Sequence, residues 1–386
     1  MVLEDALVLR RGITHARLGV VIVGVILLCA CGVLYPYVIY PLMLALVGRG
    51  KPVAAGGEYF PQVAILISAF NEERHMRAKV QNFLELDYPA ERLELWVGLD
   101  GSSDGTTAIL QGYANPRIHV LTSAVRGGKT AMLNALAAQA KAEIFLFTDV
   151  NPLYRPEAVR ELVQPFSDPR VGLVSGQTRV RGAGNVAVEG AYYRFEHWLK
   201  LRESTGGGLA GALGPNYGIR ASLYEPLDPA LINDLAHPGL VAAQGYRCVF
   251  RKQSLIEEEA GDDAGREFHR QTRMTAQGAY VLARLCPKLW RSGSWGMLWV
   301  LGSHKLLRWM VGLWAIAGTL ALAAAGWWWV VAVELAGLSL VAWGWRRGPK
   351  WATIPGFFLL VHTAYLVALW QALRGERYVT WKPRAG

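Results

Sequence analysis

Apolar residues are spread unevenly along this 386-residue chain. Residues 18–47, "LGVVIVGVILLCACGVLYPYVIYPLMLALV", carry no charge over a run longer than the ~20 residues that cross a bilayer. Near the carboxyl end, 309–325, 327–345 and 353–373 come close to that length with at most one acidic residue each. Between these ends the pattern changes. Compact apolar blocks, "QVAILISAF", "LELWVGLD", "IHVLTS" and "EIFLFTDV", alternate with the amphipathic stretches "MRAKVQNFLELDY", "GSSDGTTAILQGYA" and "GGKTAMLNALAAQA". Strands alternating with helices at this spacing predict a doubly wound α/β sheet with parallel strands. Ligands of such sheets sit beyond the carboxyl ends of the strands. Glu72, Asp100 and Asp149 all fall at such ends.

The last block runs on as "FLFTDVNPLY", an acid and an amide two residues apart before a proline. Asp, Asn and Pro are ordinary turn formers. A carboxylate at that place can also hold a divalent cation, and the local sequence leaves both readings open. The glycines are no sharper. "GSSDG" is not a dinucleotide fingerprint, and "RGGKT" lacks the spacing of a Walker loop, so Lys129 reads equally as a solvated lysine at a helix start or a phosphate contact.

Composition supports a membrane protein: 52% of residues are hydrophobic, 18% are charged and 15 are tryptophan. The formal charge of +10 raises the question of nucleic acid. The basic residues, however, gather beside apolar segments: Arg10, Arg11 and Arg17; Lys288 and Arg291; Lys305 and Arg308; Arg346, Arg347 and Lys350. That placement fits anionic headgroups rather than a nucleic-acid groove. Cys29, Cys31, Cys248 and Cys286 have neither metal spacing nor a disulfide framework.

Five stretches in order resemble membrane-bound family 2 glycosyltransferases of the cellulose, chitin and hyaluronan synthase type. They are "ISAFNEE", "GLDGSSDGTT" with Leu99 in place of a first Asp, "TDVN" as an Asp-x-Asn form of the metal motif, "GPNYGIRASLY", and "LINDLAHPGLVAAQGYRCVF" followed by "EFHRQTRM". The resemblance implies a GT-A-type catalytic domain over 52–285 and an inverting, metal-dependent transfer from a nucleotide sugar, expected to be a UDP-sugar. It places Ala69, Glu72, Asp100, Lys129, Arg270 and Arg273 on the donor, and Asp149 and Asn151 on Mg²⁺ or Mn²⁺. It further places Gly214, Asn216, Arg220 and Met274 on the acceptor side, with Asp234 as the catalytic base. A base is needed to deprotonate the acceptor hydroxyl opposite the leaving group, and an apolar setting such as "ALINDLAHP" raises a carboxylate pKa. Arg270 stands where the family has Gln, and Met274 where it has the Trp of the acceptor platform, which weakens the case for chain elongation. His237 and His269 are expected to be structural, and Asp104 a helix cap.

The segment 286–308 mixes tryptophans with Lys288, Arg291 and Lys305, as an amphipathic helix lying in the membrane interface does. The expected division is then a segment 1–17, one membrane helix at 18–47, the cytosolic domain 52–285, the interface helix 286–308, three membrane helices over 309–373 and a tail 374–386. A hairpin kinked at Pro36 and Pro41 is the alternative for the first span. Glu334, inside an apolar stretch, is expected to face a partner or a cavity. The leading functional expectation is synthesis of an extracellular or capsular polysaccharide at a bacterial inner membrane, with room for export partners. Single-sugar transfer to polyprenyl phosphate or a lipid-linked oligosaccharide is the second, and a non-catalytic export scaffold the third.

Overall fold

The computed structural model describes residues 19–47, 58–181, 186–259, 264–376 and 378. Arg10, Arg11 and Arg17, the whole segment 1–17 and most of the tail 374–386 lie outside the described residues.

β1 (Val63–Ala69), β2 (Leu93–Asp100), β3 (Ile118–Ser123) and β4 (Ile144–Thr148) form a parallel set in the spatial order β3-β2-β1-β4. Every residue of β1 is buried, as expected of a central parallel strand covered on both faces. Helix Glu73–Leu84 covers one face of this sheet and helix Lys129–Ala137 the other. Side chains such as Ile65, Ile67 and Leu146 are fully enclosed. Each contributes about 1.5–3 kcal/mol by leaving water.

The sheet extends further than the sequence pattern indicated. β5 (Leu153–Tyr154), β6 (Val171–Arg181), β7 (Tyr217–Arg220) and β8 (Arg247–Glu259) continue it as β4-β7-β6-β8-β5. β7 runs antiparallel to β4, with Tyr217 opposite Phe147 and Arg220 opposite Ile144. The result is a mixed α/β sheet, parallel in its first half, of the GT-A type.

Residues Gly19–Leu46 form one continuous apolar helix, not a hairpin. Pro36 and Pro41 are absorbed by a π-turn at Tyr35–Ile39, where the Tyr40 N–H donates to the Tyr35 carbonyl. Trp328–Arg347 and Trp351–Leu373 are likewise long and apolar enough to cross a membrane. Trp295–Trp309 and Val311–Ala324 pass only together and meet at a 56° bend, and 286–308 is not a single helix, being broken between Arg291 and Trp295. It comprises the end of helix Ala264–Arg291, a turn through Ser292–Ser294, and helix Trp295–Leu301 running into a second π-turn. Val20, Leu27, Leu320, Trp328, Trp329 and Leu338 point outward, which suits contact with lipid. Glu334 accepts a hydrogen bond from Thr319 at 2.9 Å, the partner its apolar position called for.

Helical and catalytic parts share cores. Leu235 and Ala236 pack with Val281, Leu285, Trp309, Val361 and Tyr365, and Tyr40 and Leu44 pack with Leu199.

Candidate active site

The loops that leave β1 and β2 are laced together. Asn71, the only non-glycine residue with positive φ among the described residues, accepts a hydrogen bond from the Ser103 N–H, and its own N–H donates to Ser102 Oγ. Asp104 accepts from the Glu73 and Thr106 N–H groups; the N-cap position of helix Thr106–Gln111 is Gly105, so Asp104 stands one residue before the expected cap and ties the helix start to the first loop. Ala69 is buried at the end of β1 and Glu72 follows half-buried, so both belong to this rim. Leu99 is wholly enclosed in the core and offers nothing to a nucleotide.

Asp100 holds a different place from the one expected. Its two carboxylate oxygens accept the N–H groups of Gly127 and Gly128 at 2.7 and 2.9 Å. A strand-end carboxylate therefore fixes the Gly-Gly loop, and Gly128, at φ 91°, supplies the backbone turn that aims Lys129. Lys129 Nζ donates to Asp149 Oδ1 at 2.5 Å. Lysine and acid thus meet at the carboxyl end of β4.

Beneath that acid lies a residue that the sequence reading passed over. Lys79 is buried, and its Nζ donates to Thr148 Oγ1 at 3.2 Å and to the Pro152 carbonyl at 2.5 Å, straddling the Asp149–Asn151 turn. Burial pushes its ammonium down to about 7, against the pull of Asp149. A signal existed: Met76, Lys79, Val80 and Phe83 occupy one helix face at the spacing of a core stripe.

Asp149 and Asn151 provide one carboxylate and one amide. Among the described residues no group of three or more His, Cys, Asp or Glu side chains could cage a metal by itself. The pair suits the way Mg²⁺ is held beside nucleotides, by one or two protein oxygens with phosphates and water completing the shell.

Asp234 lies in the first turn of helix Asn233–Ala243. A chain of contacts ties it to β4. Phe147 stacks on Tyr217 at 4.7 Å, the Tyr217 hydroxyl accepts from Asn233 Nδ2 at 2.5 Å, and it shares a 2.9 Å hydrogen bond with His237 Nδ1. His237 is buried and burial pushes it down to about 3, so it is the structural residue expected. His269 is exposed and takes no part in the site. Burial raises Asp234 above the usual carboxylate value, opposed by Lys129, Lys200 and Lys305 and helped by Asp149.

Two acceptor-side expectations fail. Asn216 is wholly buried, donates to the carbonyls of Gln177 and Ser254 and accepts from Ser254 Oγ, so it stitches β6 to β8. Arg220 donates to the carbonyls of Val171, Phe166 and Asp168. Because β7 runs back along β4, Arg220 ends opposite Ile144, about 13 Å of strand away from the site end at Thr148. Gly214 lies beside Asp234: a Cβ there would fall 2.8 Å from Asp234 Oδ2.

On helix Ala264–Arg291 the two arginines separate. Arg270 is forked onto Glu267 at 2.7 and 2.8 Å, so its guanidinium is committed within the helix. Arg273 is half-buried and within electrostatic reach of Asp234 and Asp149; burial first, then Arg270, lowers its pKa. Met274 is half-buried on the same helix.

Near Asp234 lies a buried charged cluster. His304 bridges Glu203 at 2.5 Å and Glu196 at 3.1 Å. Arg308 pairs with Glu196, and Glu203 also accepts from the Tyr40 hydroxyl at 2.8 Å and the Ala210 N–H at 3.1 Å. This cluster joins the first apolar helix to the catalytic domain.

The family model "Glycosyl transferase family 2" matches residues 64–225. A curated relative, β-monoglucosyldiacylglycerol synthase from Synechocystis sp., is 30% identical over 235 residues, which are 57% of this chain and 48% of the relative. The probable glycosyltransferase YdaM from Bacillus subtilis is 26% identical over 246 residues, 60% of this chain and 58% of the relative. This chain thus spans about half the length of the curated relatives it matches. The solved mannosyltransferase PcManGT from Pyrobaculum calidifontis, in complex with GDP-Man and Mn²⁺, superposes with a TM-score of 0.69 at 20% identity, covering 91% of this chain and 99% of the other. At that identity the likeness speaks for the fold.

Proposed function

We propose that this chain, which carries a glycosyltransferase family 2 domain at residues 64–225, transfers a single sugar from a nucleotide-sugar donor to a hydroxyl of a membrane lipid, with inversion. The observation that carries this reading is the placement of Asp234. A carboxylate with a raised pKa lies within electrostatic reach of the Lys129–Asp149 pair, and the next residues of its helix, Leu235 and Ala236, share a core with Met297 and Leu301 of the apolar helix Trp295–Leu301. The helix that carries the base thus shares its core with residues of the carboxyl-terminal apolar helices, among them Trp309, Val361 and Tyr365.

The chemistry follows from these positions. Asp234 takes the proton of the acceptor hydroxyl, whose oxygen attacks the anomeric carbon from the face opposite the diphosphate. The carbon–oxygen bond to the diphosphate breaks, and its electron pair leaves with the nucleoside diphosphate. Lys129 and Arg273 supply positive charge to that leaving group. Mg²⁺ or Mn²⁺ held by Asp149 and Asn151 would neutralise the two phosphates further. The Asp100 carboxylate keeps the Gly127–Gly128 loop in place so that Lys129 starts from a fixed position.

Transfer to a lipid is favoured over the polysaccharide reading by two points. The relatives include a glycolipid synthase, and Met274 offers no aromatic platform for a growing glycan. On this reading the membrane is a bacterial inner membrane and the domain lies on its cytosolic side, where nucleotide sugars are made.

The test is product analysis of the full chain in lipid nanodiscs with radiolabelled UDP-glucose, UDP-GlcNAc and GDP-mannose. One donor should give a solvent-extractable labelled lipid, lost on chelation and in Asp149→Ala and Asp234→Asn. A long water-soluble polymer, or activity that survives Asp234→Asn, would overturn the reading.

A further inference from the structure

Two lysines beside the base have no task in the chemistry described so far. Lys200 is buried and donates to the Gly211 carbonyl at 2.7 Å, its one partner among the described residues. Lys305 is half-buried and has no hydrogen-bond or ion-pair partner among the described residues. They converge on one short loop. A Cβ at Gly211 would lie 3.7 Å from Lys305 Cε, 3.7 Å from Leu235 Cδ1 and 3.8 Å from the Asp234 carbonyl oxygen. Three residues along, the Cβ position of Gly214 meets the Asp234 carboxylate at 2.8 Å. Both ammonium groups therefore border the loop that brings Gly211 and Gly214 against Asp234, and both act on its carboxylate through space.

Neighbouring acids compensate them only through space: Glu196, Glu203 and Asp234 act on Lys200, and Glu196 on Lys305, but among the described residues none of them hydrogen-bonds either lysine. Glu203 is occupied by Tyr40, His304 and Ala210, and Glu196 by His304 and Arg308. Asp149 is paired with Lys129. Placed where they are, Lys200 and Lys305 also work against the base, because cations beside a carboxylate hold its proton affinity down. Burial of Lys200 is itself costly, pushing its ammonium down to about 8, with Lys305 adding to the fall. Two costs at one place are explained if the substrate brings an anion there.

We infer that the lipid acceptor carries a phosphate beside its reactive hydroxyl, with Lys305 and Lys200 receiving the phosphate while Asp234 receives the hydroxyl. An anionic phospholipid with a hydroxylated headgroup has this chemistry, and a neutral diacylglycerol does not. The inference rests on the lipid-transfer reading but is tested separately from it, by binding.

The probe is glycerophosphoglycerol, the deacylated headgroup of phosphatidylglycerol, titrated by calorimetry into the full chain in phosphatidylcholine nanodiscs. Wild type should bind saturably, Lys305→Met should bind at least 10-fold more weakly, and Lys305→Arg should stay within about 3-fold. Lys305 is half-exposed and unpartnered, so its replacement should leave the melting temperature unchanged. Inorganic phosphate should bind at least 10-fold more weakly than the headgroup. Equal binding by Lys305→Met, absence of saturation in wild type, or equal affinity for inorganic phosphate would each overturn the inference. Product analysis then separates the two claims: transfer to diacylglycerol but not to phosphatidylglycerol sinks the phosphate and keeps the transferase.

Discussion

Gly214→Ala tests whether Asp234 stands at the reacting centre. The backbone at 214 lies outside the left-handed region, so alanine is allowed there on conformational grounds. Its methyl, however, would fall 2.8 Å from Asp234 Oδ2 and 3.6 Å from Cγ, where ordinary contact begins at 3.4 Å. The flexible partner is the carboxylate, which must move by roughly half an ångström. Strain from such a side-chain shift is about 0.5–1.5 kcal/mol, small against the stability of a fold. Misplacing a reacting group by 1 Å costs about 10²-fold, so half that shift should cost about 10-fold, or ~1.4 kcal/mol of barrier. The assay is nucleoside diphosphate release at saturating donor and acceptor. Turnover should fall about tenfold, with donor KM within twofold of wild type and melting temperature nearly unchanged. Gly208→Ala is the control, since its methyl would meet Met297 and Val300 at an ordinary 3.6 Å. Wild-type turnover in Gly214→Ala would place the base elsewhere.

Further outcomes follow from the same geometry. Asp234 acts as the carboxylate and its pKa is raised by burial, so kcat should be lost as pH falls, with an acid limb above 3.8; removing a cation with Lys305→Met should move that limb up again, and a limb at 3.8 in both proteins refutes the assignment. For the same reason Asp234→Asn should raise the melting temperature at neutral pH, because a raised pKa means that the ionised form costs the folded state; a clear drop by calorimetry would argue against this. Lys79→Met leaves the Pro152 carbonyl without its donor at a cost of about 1–3 kcal/mol, and should shift the Mn²⁺ dependence of turnover to higher concentration; an unchanged Mn²⁺ titration removes Lys79 from the metal turn. Arg273→Lys should raise donor KM markedly, whereas Arg270→Lys, whose fork serves Glu267, should change it little; the reverse order would show that Arg270 turns to the donor.

Much of this site was legible in the chain because it is written in local pattern. Central strands appear as apolar runs since both faces are covered, and a charged residue can end such a run only at the sheet's edge. That rule alone brought Asp100 and Asp149 to the same rim. The long uncharged runs declared the membrane segments for an equally simple reason, since lipid leaves no other place for them. Lys79 was legible too, as the one cation on an otherwise apolar helix stripe. Which way a side chain is spent was not legible. Asp100 serves two backbone amides, Asn216 two strands and Arg220 three carbonyls, because buried polar groups must be satisfied and their partners come from segments far along the chain. Arg220 lies within six residues of Gly214 in sequence and yet faces the other end of the sheet, since β7 is antiparallel to β4. Lys200 and Lys305 are separated by 105 positions and mark nothing in the sequence. Only packing of helix Val186–Thr205 against the π-turn Gly302–Leu306 sets them beside one carboxylate, because electrostatics acts on distance in space and sequence spacing does not record it.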